Sequence, residues 1–596
     1  MNPNADMVFE VSWEVCNKVG GIFTVVSSKA LSMMQCYDFY YLVGPFFPKK
    51  AFGVFEETVV PEECKTAAEN LKKQGVECHW GTWLVKGNPR VILIDFTQFS
   101  SQKNEIKRKL WDEYHVDSLY TEWFDFDEPV VFATAAGKVI EELSRVYAQK
   151  KVVAQFHEWL TGAGLLYLKS RKIPVGTVFT THATTLGRTI AATDMNLYEV
   201  LDVVHPDECA QTRGAGVFAK HMLEKAAAQH ASVFTTVSEI TGLEAEKILG
   251  RKPDVLLLNG LDMDKFPTFE EASVKHRLFK NRIKQFLTYY FFPHYAFDLA
   301  NTLIYFLAGR YEFTDKGVDV CIEALGKLNE RLKKEKSTKT VVTFFWIPGN
   351  IRAIKTDLLE DKTAFFDVKD SLDDAAEDMK TNILYTLLTK KKISEESVFD
   401  SDFVQDIKPK LLRMRKQGNP TLTTHDLFDE TTDQILAAFR ACSLFNREED
   451  RVKVVFYPIY LTGADGLLDT SYYESMQGSH LGIFPSYYEP WGYTPLEAAA
   501  LGVASVTTDL AGFGRYVLSQ GKQSSQQGIF VLPRYKRTRE QIITDLANML
   551  YVFSQLPTQD RINNKITAHK LSRTADWKNF IQYYIEAHNL AVSKSY

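Results

Sequence analysis

The stretch that most constrains the fold is residues 480–508, HLGIFPSYYEPWGYTPLEAAALGVASVTT. Residues 480–484 form a short apolar run that is typical of a buried strand. The following residues, 485–493, are rich in proline, glycine and aromatic side chains, so they cannot extend that strand and a loop begins there. Residues 503–508 are largely β-branched and predict the next strand.

A short helix is predicted to join these two strands. Thr494 supplies an N-cap hydroxyl, Pro495 suits the first helical position, and Glu497 lies three residues after the cap, while Gly502 ends the helix. The unit is therefore βαβ, and its loop lies outside the carboxyl end of a parallel strand, where ligands bind. The free amides of the helix start favour an anion such as phosphate, and the loop adds the carboxylate of Glu489.

Strand-like runs and helical patterns alternate along the rest of the chain, which predicts an α/β protein. At 596 residues the chain is too long for one core, and we predict one large domain over 1–265 and a second over 266–574. Residues 351–440 are charged and helical with no clear strand; we interpret them as an insertion that contacts other subunits, with a solvated bulge as the alternative. The amphipathic segment 575–596 is expected to pack back on the first domain.

Composition excludes several classes of protein. The net charge of −5 argues against a mainly electrostatic nucleic-acid binder. Seven widely spaced cysteines, without a CxxC pair or zinc spacing, predict a reducing compartment. The start of the chain lacks a signal-peptide pattern, and no apolar run approaches the ~18 residues of a membrane span, so we expect a cytoplasmic protein.

The first candidate site residues follow the first predicted strand. Gly20 and Gly21 remove side chains where backbone can approach a ligand, and Lys18 adds a charge that can pair with it. The segment is neither a dinucleotide fingerprint nor a Walker A loop. A Gly-Gly turn beside a surface lysine is also common in loops that bind nothing.

Two histidines each follow a strand directly, in FHEW and THATTLGR. His157 and His182 therefore lie at carboxyl ends of strands, where α/β sites form, although a histidine there is more often a structural hydrogen-bonding group. Arg188 lies six residues after His182 and suits bidentate binding of phosphate or carboxylate.

Another strand is followed by a loop that carries two cations, Arg310 and Lys316, between glycines. A diphosphate leaving group takes negative charge as it departs, so it needs fixed cations and amides more than a proton donor. These two side chains match that need. The alternative is a surface loop with ordinary salt bridges.

Glu489 and Glu497 together suggest a two-carboxylate glycosidase. The spacing weakens that hypothesis, because Glu497 lies on the predicted helix with a capping role and Glu489 lies in the loop. Two DxD triplets, 125–127 and 262–264, are a feature of metal-dependent sugar transferases. Neither follows a strong strand, so we predict that no metal is used.

Seven segments occur in order along the chain: EVSWEVCNKVGGIFTV, FHEWLTGAGL, FTTHATTLGR, VFTTVSEIT, RKPDVLLLNGL, AGRYEFTDKG and FPSYYEPWGYTPLE. Together they resemble the glycogen synthases of the animal and fungal type. The resemblance implies the GT-B fold, with two Rossmann-like domains facing across a cleft, and retaining transfer of glucose from UDP-glucose to the non-reducing 4-hydroxyl of an α-1,4-glucan. It also implies no metal or other cofactor and a homotetramer, with a glycogenin-like primer protein as a candidate partner.

The resemblance assigns binding of the nucleotide sugar to residues in both halves of the chain: Lys18, Gly20, Gly21, Arg188, Trp491, Tyr493, Thr494 and Glu497. Tyr493 and the Thr494 amide would bind uridine and phosphate, and Glu497 would reach the ribose. Adenine could stack on Tyr493 as well, so the donor base stays open.

By the same resemblance, the catalytic group comprises Arg310 and Lys316 on the diphosphate, His182 beside the transferred glucose, and Glu489 against the sugar. Glu489 would steady a cationic transition state, either as a covalent nucleophile or as an electrostatic partner in an internal-return route. Two further residues are expected near the sugars: His157 and Asn259.

Two family features are altered. The family's arginine-rich helix, which serves glucose-6-phosphate activation, corresponds to residues 558–570, where most arginines are gone. The family's HEFQNLH segment is EEASVKH at 270–276, and Glu270 would repel a phosphate. We therefore predict no activation by glucose 6-phosphate. Two alternatives stay open: an α-glucan phosphorylase-like enzyme with pyridoxal phosphate, and a catalytically silent glucan-binding scaffold.

Overall fold

The computed structural model describes residues 1–193, 196–390, 392–521 and 526–596. They form an α/β protein of two domains, each built around a mainly parallel sheet. Among the described residues, no helix has the length and apolar character needed to cross a bilayer.

The first sheet contains β1 (Met7–Val11), β2 (Phe39–Pro45), β3 (Phe55–Glu57), β4 (Glu77–Trp83), β5 (Arg90–Asp95), β6 (Val152–His157), β7 (Gly176–Thr181), β8 (Val233–Thr236) and β9 (Val255–Leu256). Their order is β3-β4-β5-β2-β1-β6-β7-β8-β9. β4 pairs antiparallel with β3 and β5, and the other neighbouring pairs are parallel. Because β1 lies between β2 and β6, the connections from β1 and β6 run to opposite sides, which makes this point a switch in strand order.

The second half of the chain contributes β10 (Thr302–Ala308), β11 (Thr340–Trp346), β12 (Ile351–Ile354), β13 (His425–Leu427), β14 (Val452–Tyr457), β15 (Leu481–Ile483), β16 (Ala504–Thr508) and β17 (Ile529–Leu532). Six of these strands form an all-parallel sheet in the order β14-β11-β10-β15-β16-β17. β10 and β15 lie at its switch point.

The helices, numbered in chain order, are α1 (Gly21–Cys36), α2 (Pro48–Ala51), α3 (Lys65–Lys73), α4 (Lys103–Tyr114), α5 (Glu128–Val146), α6 (Trp159–Ser170), α7 (Thr185–Ala191), α8 (Leu197–Val200), α9 (Pro206–Gln211), α10 (Ala215–His230), α11 (Glu239–Ile248), α12 (Phe269–Phe291), α13 (Val318–Lys334), α14 (Thr356–Asp374), α15 (Ala376–Leu388), α16 (Glu395–Val398), α17 (Ser401–Met414), α18 (Gln434–Ala441), α19 (Tyr472–Gly478), α20 (Tyr493–Ala500), α21 (Gly512–Ser519), α22 (Arg539–Gln555), α23 (Thr558–Thr574) and α24 (Trp577–Ser593). The central strands β1, β6, β7, β10 and β11 are buried at every position. Burial on both faces explains why β1, β6, β10 and β11 are mainly apolar runs, whereas β7 (GTVFTT) is half threonine.

The βαβ unit at 480–508 forms as predicted, with β15, α20 and β16, but its helix start differs. α20 begins at Tyr493, and its N-cap is Gly492 rather than Thr494. Gly492 has a φ of +104°, a conformation that glycine adopts without strain, so the chain enters the helix two residues early. The predicted capping box is therefore wrong, and the Glu497 carboxylate instead accepts a hydrogen bond from the Tyr473 hydroxyl at 2.9 Å.

The prediction that 351–440 contains no strand is also wrong, because β12 and β13 pair there as an antiparallel ribbon. Their sequences, IRAI and HDL, are short and mix polar with apolar residues, so they lack a strand-like run. Helices α14 to α17 lie between them. Six large apolar side chains on α15 and α17 are exposed: Leu384, Tyr385, Leu387, Leu388, Leu411 and Leu412.

Helix α24 packs against the first sheet, although it follows the second domain in sequence. Its Trp577 Nε1 donates a hydrogen bond to Ser28 Oγ on α1 at 2.7 Å. His588 Nδ1 lies 2.9 Å from the Tyr37 hydroxyl, and its Nε2 lies 3.0 Å from Gln155 Oε1 on β6. The segment thus covers strands that were made more than 300 residues earlier.

Candidate active site

Most of the sequence-predicted site residues lie in loops at the switch points of the two sheets. Loops after β1, β6 and β7 carry them in the first domain; residues 12–20, 157–158 and 182–188 are called the first wall. Loops after β10 and β15 carry them in the second domain; residues 309–317 and 484–494 are called the second wall. Carboxyl ends of strands at a switch point are where open α/β sheets bind ligands.

The second wall holds a close ion pair. Lys316 Nζ donates to Glu489 Oε2 at 2.6 Å, and the two side chains are 19% and 23% exposed. Gly317 makes this approach possible, because a Cβ at its position would lie 2.1 Å from the Pro485 carbonyl oxygen. The Asp315 carbonyl also accepts a hydrogen bond from the backbone N–H of Tyr487, in the 484–494 loop, at 2.8 Å. Backbone contacts therefore bring the cation and the carboxylate together.

Arg310 lies in the same loop but outside this pair. Its side chain is 76% exposed, and its guanidinium contacts the Glu312 carboxylate at 2.9 Å. The structure thus brings Lys316 to Glu489 and leaves Arg310 at the solvent. An exposed arginine of this kind costs little to rearrange toward an anion, because a surface ion pair contributes about 0–1 kcal/mol.

Trp491 supports the second wall from behind. Its side chain is buried, and its ring lies about 6 Å from those of Phe513, Tyr516 and Phe580 (6.0, 6.2 and 6.2 Å between centroids). Trp491 therefore packs in the core beneath the loop, next to α24. The structure does not bring this predicted nucleotide-binding side chain together with the Lys316–Glu489 pair.

The start of α20 lies where the two domains meet. The Tyr493 hydroxyl donates to the Gly260 carbonyl at 3.3 Å, directly after the predicted sugar-vicinity residue Asn259. Asn259 is buried, and among the described residues its Oδ1 has no hydrogen-bond partner. Thr494 lines a small cavity with Lys316.

Glu497 lies one turn along α20. Burial raises its pKa to about 7, although the hydrogen bond from Tyr473 acts in the opposite direction. Near neutral pH this carboxyl group is therefore poised between its two protonation states.

In the first wall, Glu14 holds the Gly-Gly turn. Its carboxylate accepts hydrogen bonds from the Gly20 amide at 2.6 Å and the Phe23 amide at 2.9 Å. Lys18 is exposed, and a Cβ added at Gly21 would meet no atom within 4 Å. The turn is thus shaped by a glutamate, while Lys18 and Gly21 stay accessible.

The two predicted histidines contact each other, with His157 Nδ1 2.9 Å from His182 Nε2. Glu158 has a φ of +65° and accepts hydrogen bonds from the amides of His182 at 3.0 Å and Ala183 at 3.1 Å. Burial raises the pKa of Glu158 to about 7, although the charge of Arg188 and these two amides act in the opposite direction.

Two more buried glutamates hold the turn before Arg188. Glu244 accepts a hydrogen bond from the Thr184 amide at 3.1 Å, and Glu224 accepts one from the Thr185 amide at 2.8 Å. Burial raises the pKa of Glu244 to about 7 and raises that of Glu224 well above its usual range. The side chain of Arg188 is exposed, and its charge acts on all three carboxyl groups.

Two tyrosines that directly precede Glu489 connect the walls. The Tyr487 hydroxyl donates to Asn196 Oδ1 at 2.8 Å, and the Tyr488 hydroxyl donates to Glu244 Oε1 at 3.0 Å. Glu244 therefore binds the Glu489 loop and the turn before Arg188 at once. The two walls form one site.

Sequence reasoning missed the glutamates that shape the first wall: Glu14, Glu158, Glu224 and Glu244. The sequence position of Glu158 indicates a paired carboxylate, because a charged residue directly after a buried strand is unusual unless it is paired. Glu224 and Glu244 lie on helices, where a single glutamate is ordinary. Their burial depends on the tertiary structure.

Both DxD triplets are ion-paired. Lys86 Nζ lies 2.8 Å from Asp262 Oδ1 and 3.0 Å from Asp264 Oδ2. In the other triplet, Asp125 pairs with Lys220, and Asp127 pairs with two lysines of α4. Within the described ranges, no three His, Cys, Asp or Glu side chains are placed to share a metal ion.

A second pocket lies beside Gly502, between α12 and α23. Five basic side chains line it: His276, Lys280, His480, Arg561 and Lys565. Burial and the charges of Lys280 and Arg561 lower the pKa of Lys565 to about 7. Glu270 is exposed and is not among the residues that line this pocket.

The family model described as "Glycogen synthase" matches residues 10–596. The chain belongs to the glycogen synthase family. It is 37% identical to glycogen [starch] synthase, liver, of Homo sapiens, over 99% of this chain and 84% of that one. The match to glycogen [starch] synthase of Neurospora crassa is 36% identical, with the same coverage.

Among solved structures, the chain is similar to the catalytic domain of starch synthase IV from Arabidopsis thaliana, a structure bound to ADP and acarbose. The TM-score is 0.52 at 14% identity, over 99% of this chain and 100% of that one. This likeness shows the fold. The predicted family, of the animal and fungal type, and the predicted GT-B fold are confirmed. The residue roles stay predictions.

Proposed function

We propose that this member of the glycogen synthase family transfers glucose from UDP-glucose, with retention, to the non-reducing 4-hydroxyl of an α-1,4-glucan. The observation that carries the proposal is the Lys316–Glu489 pair at the switch point of the second sheet. The reaction needs a cation where the diphosphate leaves and a carboxylate where positive charge develops on the sugar. Lys316 supplies the cation and Glu489 supplies the carboxylate, and one hydrogen bond joins them.

The resting ion pair suggests how the charges are used. Without donor, Lys316 and Glu489 neutralise each other at 2.6 Å. When a diphosphate enters, it competes for Lys316 and is joined by the exposed Arg310, which leaves Glu489 as an anion beside the sugar ring. Glu489 then acts either as a covalent nucleophile toward the sugar or through its charge in an internal-return route.

The first wall supports the same proposal from the sugar side. Its two histidines are buried and its turns are held by hydrogen bonds, which suits the recognition of a neutral hexose by fixed donors and acceptors, while Lys18 and Arg188 are exposed. His182, Arg188, Lys18 and the Gly20–Gly21 turn would contact the transferred glucose and the phosphates. His157 and Asn259 would lie near the sugars.

We further propose uridine as the donor base, a reaction without a metal or other cofactor, and a homotetramer. The exposed apolar side chains of α15 and α17 support a contact between subunits, because isolated patches of that kind are unfavourable in water. A cytoplasmic location and a glycogenin-like primer protein remain predictions. The absence of glucose-6-phosphate activation also remains a prediction. It rests on the missing arginines more than on Glu270, because Glu270 is not among the residues that line the basic pocket.

The decisive experiment measures UDP release and glucose incorporation with glycogen as acceptor, comparing UDP-glucose with ADP-glucose. We expect turnover with UDP-glucose, and a product that an α-1,4-specific amylase digests. Faster turnover with ADP-glucose would contradict the proposed base. Phosphate-dependent release of glucose 1-phosphate with pyridoxal absorbance would indicate a phosphorylase, and binding of glycogen without turnover would indicate a scaffold.

A further inference from the structure

A row of buried polar side chains runs beneath the first wall, from β1 to His182. Glu10 lies in β1, MVFEV, and is fully buried. Lys29 on α1 donates to both of its carboxylate oxygens at 2.5 Å, and the Tyr40 hydroxyl donates to Oε2 at 2.6 Å. His157 Nε2 lies 2.6 Å from Glu10 Oε1, while His157 Nδ1 lies 2.9 Å from His182 Nε2.

The charge of Glu10 sets the direction of the hydrogen bond between Glu10 and His157. Burial acts to raise the pKa of Glu10, but the charge of Lys29 and the hydrogen bond from His157 outweigh it, and the pKa lies well below its usual range. An ionised carboxylate only accepts hydrogen bonds. His157 Nε2 must therefore carry a hydrogen atom.

The neutrality of His157 sets the direction of the next hydrogen bond in the row. Burial lowers its pKa, and the nearby charge of Lys29 acts in the same direction against the attraction of Glu10. A neutral imidazole has one donor and one acceptor nitrogen. Since Nε2 donates to Glu10, Nδ1 is the acceptor, and the hydrogen in the 2.9 Å contact belongs to Nε2 of His182.

The last atom in the row is Nδ1 of His182. Burial lowers the pKa of His182 well below its usual range, and the charge of Lys29 adds to that effect. With its hydrogen on Nε2, His182 has a bare Nδ1. That atom has no hydrogen-bond partner in the described part of the chain, and the side chain, at the end of β7, is 7% exposed.

We propose that Glu10, acting through His157, fixes the tautomer of His182 so that Nδ1 accepts a hydrogen bond from one hydroxyl group of the transferred sugar. Glu10, Lys29 and His157 are positioning residues, and His182 is the group that touches the sugar. A site built to pair with a hydroxyl discriminates strongly against a sugar that lacks it. The proposal rests on the proposed function, because it requires a hexose at His182.

The tautomer can be tested without any turnover. The full chain is labelled with ¹⁵N-histidine, and the His182 nitrogens are assigned by their loss in His182→Gln. At about pH 7.5 we expect a hydrogen-bearing Nε2 and an unprotonated Nδ1 on His182. A hydrogen on Nδ1 in the unliganded protein overturns the proposal.

The link to Glu10 is tested by removing both charges together, in the double variant Glu10→Gln and Lys29→Met. Neither partner is then left as a buried unpaired charge. An amide can donate or accept, so the tautomer of His182 is no longer dictated. We expect the preference for Nε2–H to weaken and kcat to fall about 10- to 100-fold. An unchanged tautomer in a folded double variant overturns the proposal.

A second pair of variants keeps the proposal testable if the double variant does not fold. His157→Gln retains one donor and one acceptor, whereas His157→Leu retains neither. We expect His157→Gln to be at least about tenfold more active than His157→Leu. Equal activity of the two folded variants would show that His157 acts only by filling space.

Mono-deoxy analogues of UDP-glucose identify the hydroxyl group. For the hydroxyl that His182 binds, we expect its removal to lower kcat/KM about 100-fold or more in the wild type and only a few-fold in the double variant. Equal losses in both proteins for every analogue overturn the proposal. If the wild type turns over no nucleotide sugar at all, the proposed function fails, and the nitrogen spectra still decide the tautomer.

Discussion

The two walls of the site are built in opposite ways. The backbone amides of the first wall are held by three buried glutamates, Glu158 in the wall itself and Glu224 and Glu244 on helices behind it, with hydrogen bonds of 2.8 to 3.1 Å. In the second wall, the charged groups reach solvent: Arg310 is 76% exposed, and Lys316 pairs with Glu489 across a single contact. The backbone of the first wall is fixed before a ligand arrives, although Lys18 and Arg188 are exposed on it, and the second wall can change its ion pairs.

This difference matches the two halves of a nucleotide sugar. A hexose carries no charge, so recognising it depends on hydrogen-bond groups held in one geometry. A diphosphate gains charge as it leaves, so the cations that meet it act through electrostatics and tolerate movement. Tyr488 connects the two halves, because it lies beside Glu489 and donates to Glu244.

Of the substitutions in the second wall, Glu489→Gln should cause the largest loss of activity. It keeps the size of the side chain and removes the charge that steadies the sugar in the transition state, so we expect kcat to fall about 1,000-fold. Glucose incorporation from UDP-glucose into glycogen measures it. Glu540→Gln, an exposed glutamate paired with Lys327, is the matched control. Near-normal turnover by Glu489→Gln would remove the carboxylate from the mechanism.

Lys316→Met tests the other half of the ion pair. The variant loses the cation that meets the diphosphate, so we expect kcat/KM to fall about 100-fold. It also leaves Glu489 without its partner, while the fold should hold because both side chains are partly exposed. Lys327→Met, on the face of α13 that contacts α22, is the control. If Lys316→Met lost no more activity than this control, Arg310 alone would carry the diphosphate.

Glu244→Gln tests whether the buried carboxyl group of Glu244 lowers the free energy of unfolding once it ionises. Burial raises the pKa of Glu244 to about 7, so the folded protein binds more protons than the unfolded chain between about pH 4.5 and 7. Stability from this group is therefore present at low pH and is lost as pH rises through about 7. As pH rises across that window, the free energy of unfolding of the variant should increase relative to that of the wild type by up to about 3 kcal/mol.

Thermal unfolding of both proteins between about pH 5 and 8 measures this gain as a difference in midpoint. Glu246→Gln is a matched control, because Glu246 lies on the same helix and is exposed. A midpoint difference that stays constant with pH for Glu244→Gln would mean that Glu244 is ionised at its ordinary pKa.

The smallest expected effect lies outside both walls, at the basic pocket beside Gly502. We predict that millimolar glucose 6-phosphate changes glucose incorporation by less than about twofold, because Arg561 is the single arginine among the residues that line the pocket. The assay compares rates with and without the effector. A several-fold rise would contradict the prediction and would indicate that His276, Lys280 and Lys565 suffice for a phosphate ester.

The strands that carry the site were predictable from sequence because buried parallel strands are apolar runs that end in polar loops. β10 and β15 with their loops appear in the sequence almost as in the structure. β3, β4, β12 and β13 were not predicted, since strands of mixed polarity lack such a run. The helix start at Tyr493 was missed because the conformation of Gly492 decides it.

The second wall was also more predictable than the first. Lys316 and Glu489 are charged residues in loops after strands, and the sequence shows both features. The first wall depends on which glutamates become buried, and Glu224 and Glu244 lie on helices with nothing in their local sequence to indicate it. The burial of Trp491 was hidden in the same way, because its partner Phe580 is 89 residues away.

The position of α24 has a consequence for how a nascent chain matures. This helix covers the row beneath the first wall, where the ring of Tyr584 lies 4.4 Å from Lys29 Nζ. During synthesis, the first domain emerges hundreds of residues before its cover, so it cannot complete its core on its own. The first domain therefore completes its core only after α24 has been synthesised and docks, and until then the apolar face that this helix covers stays exposed to water.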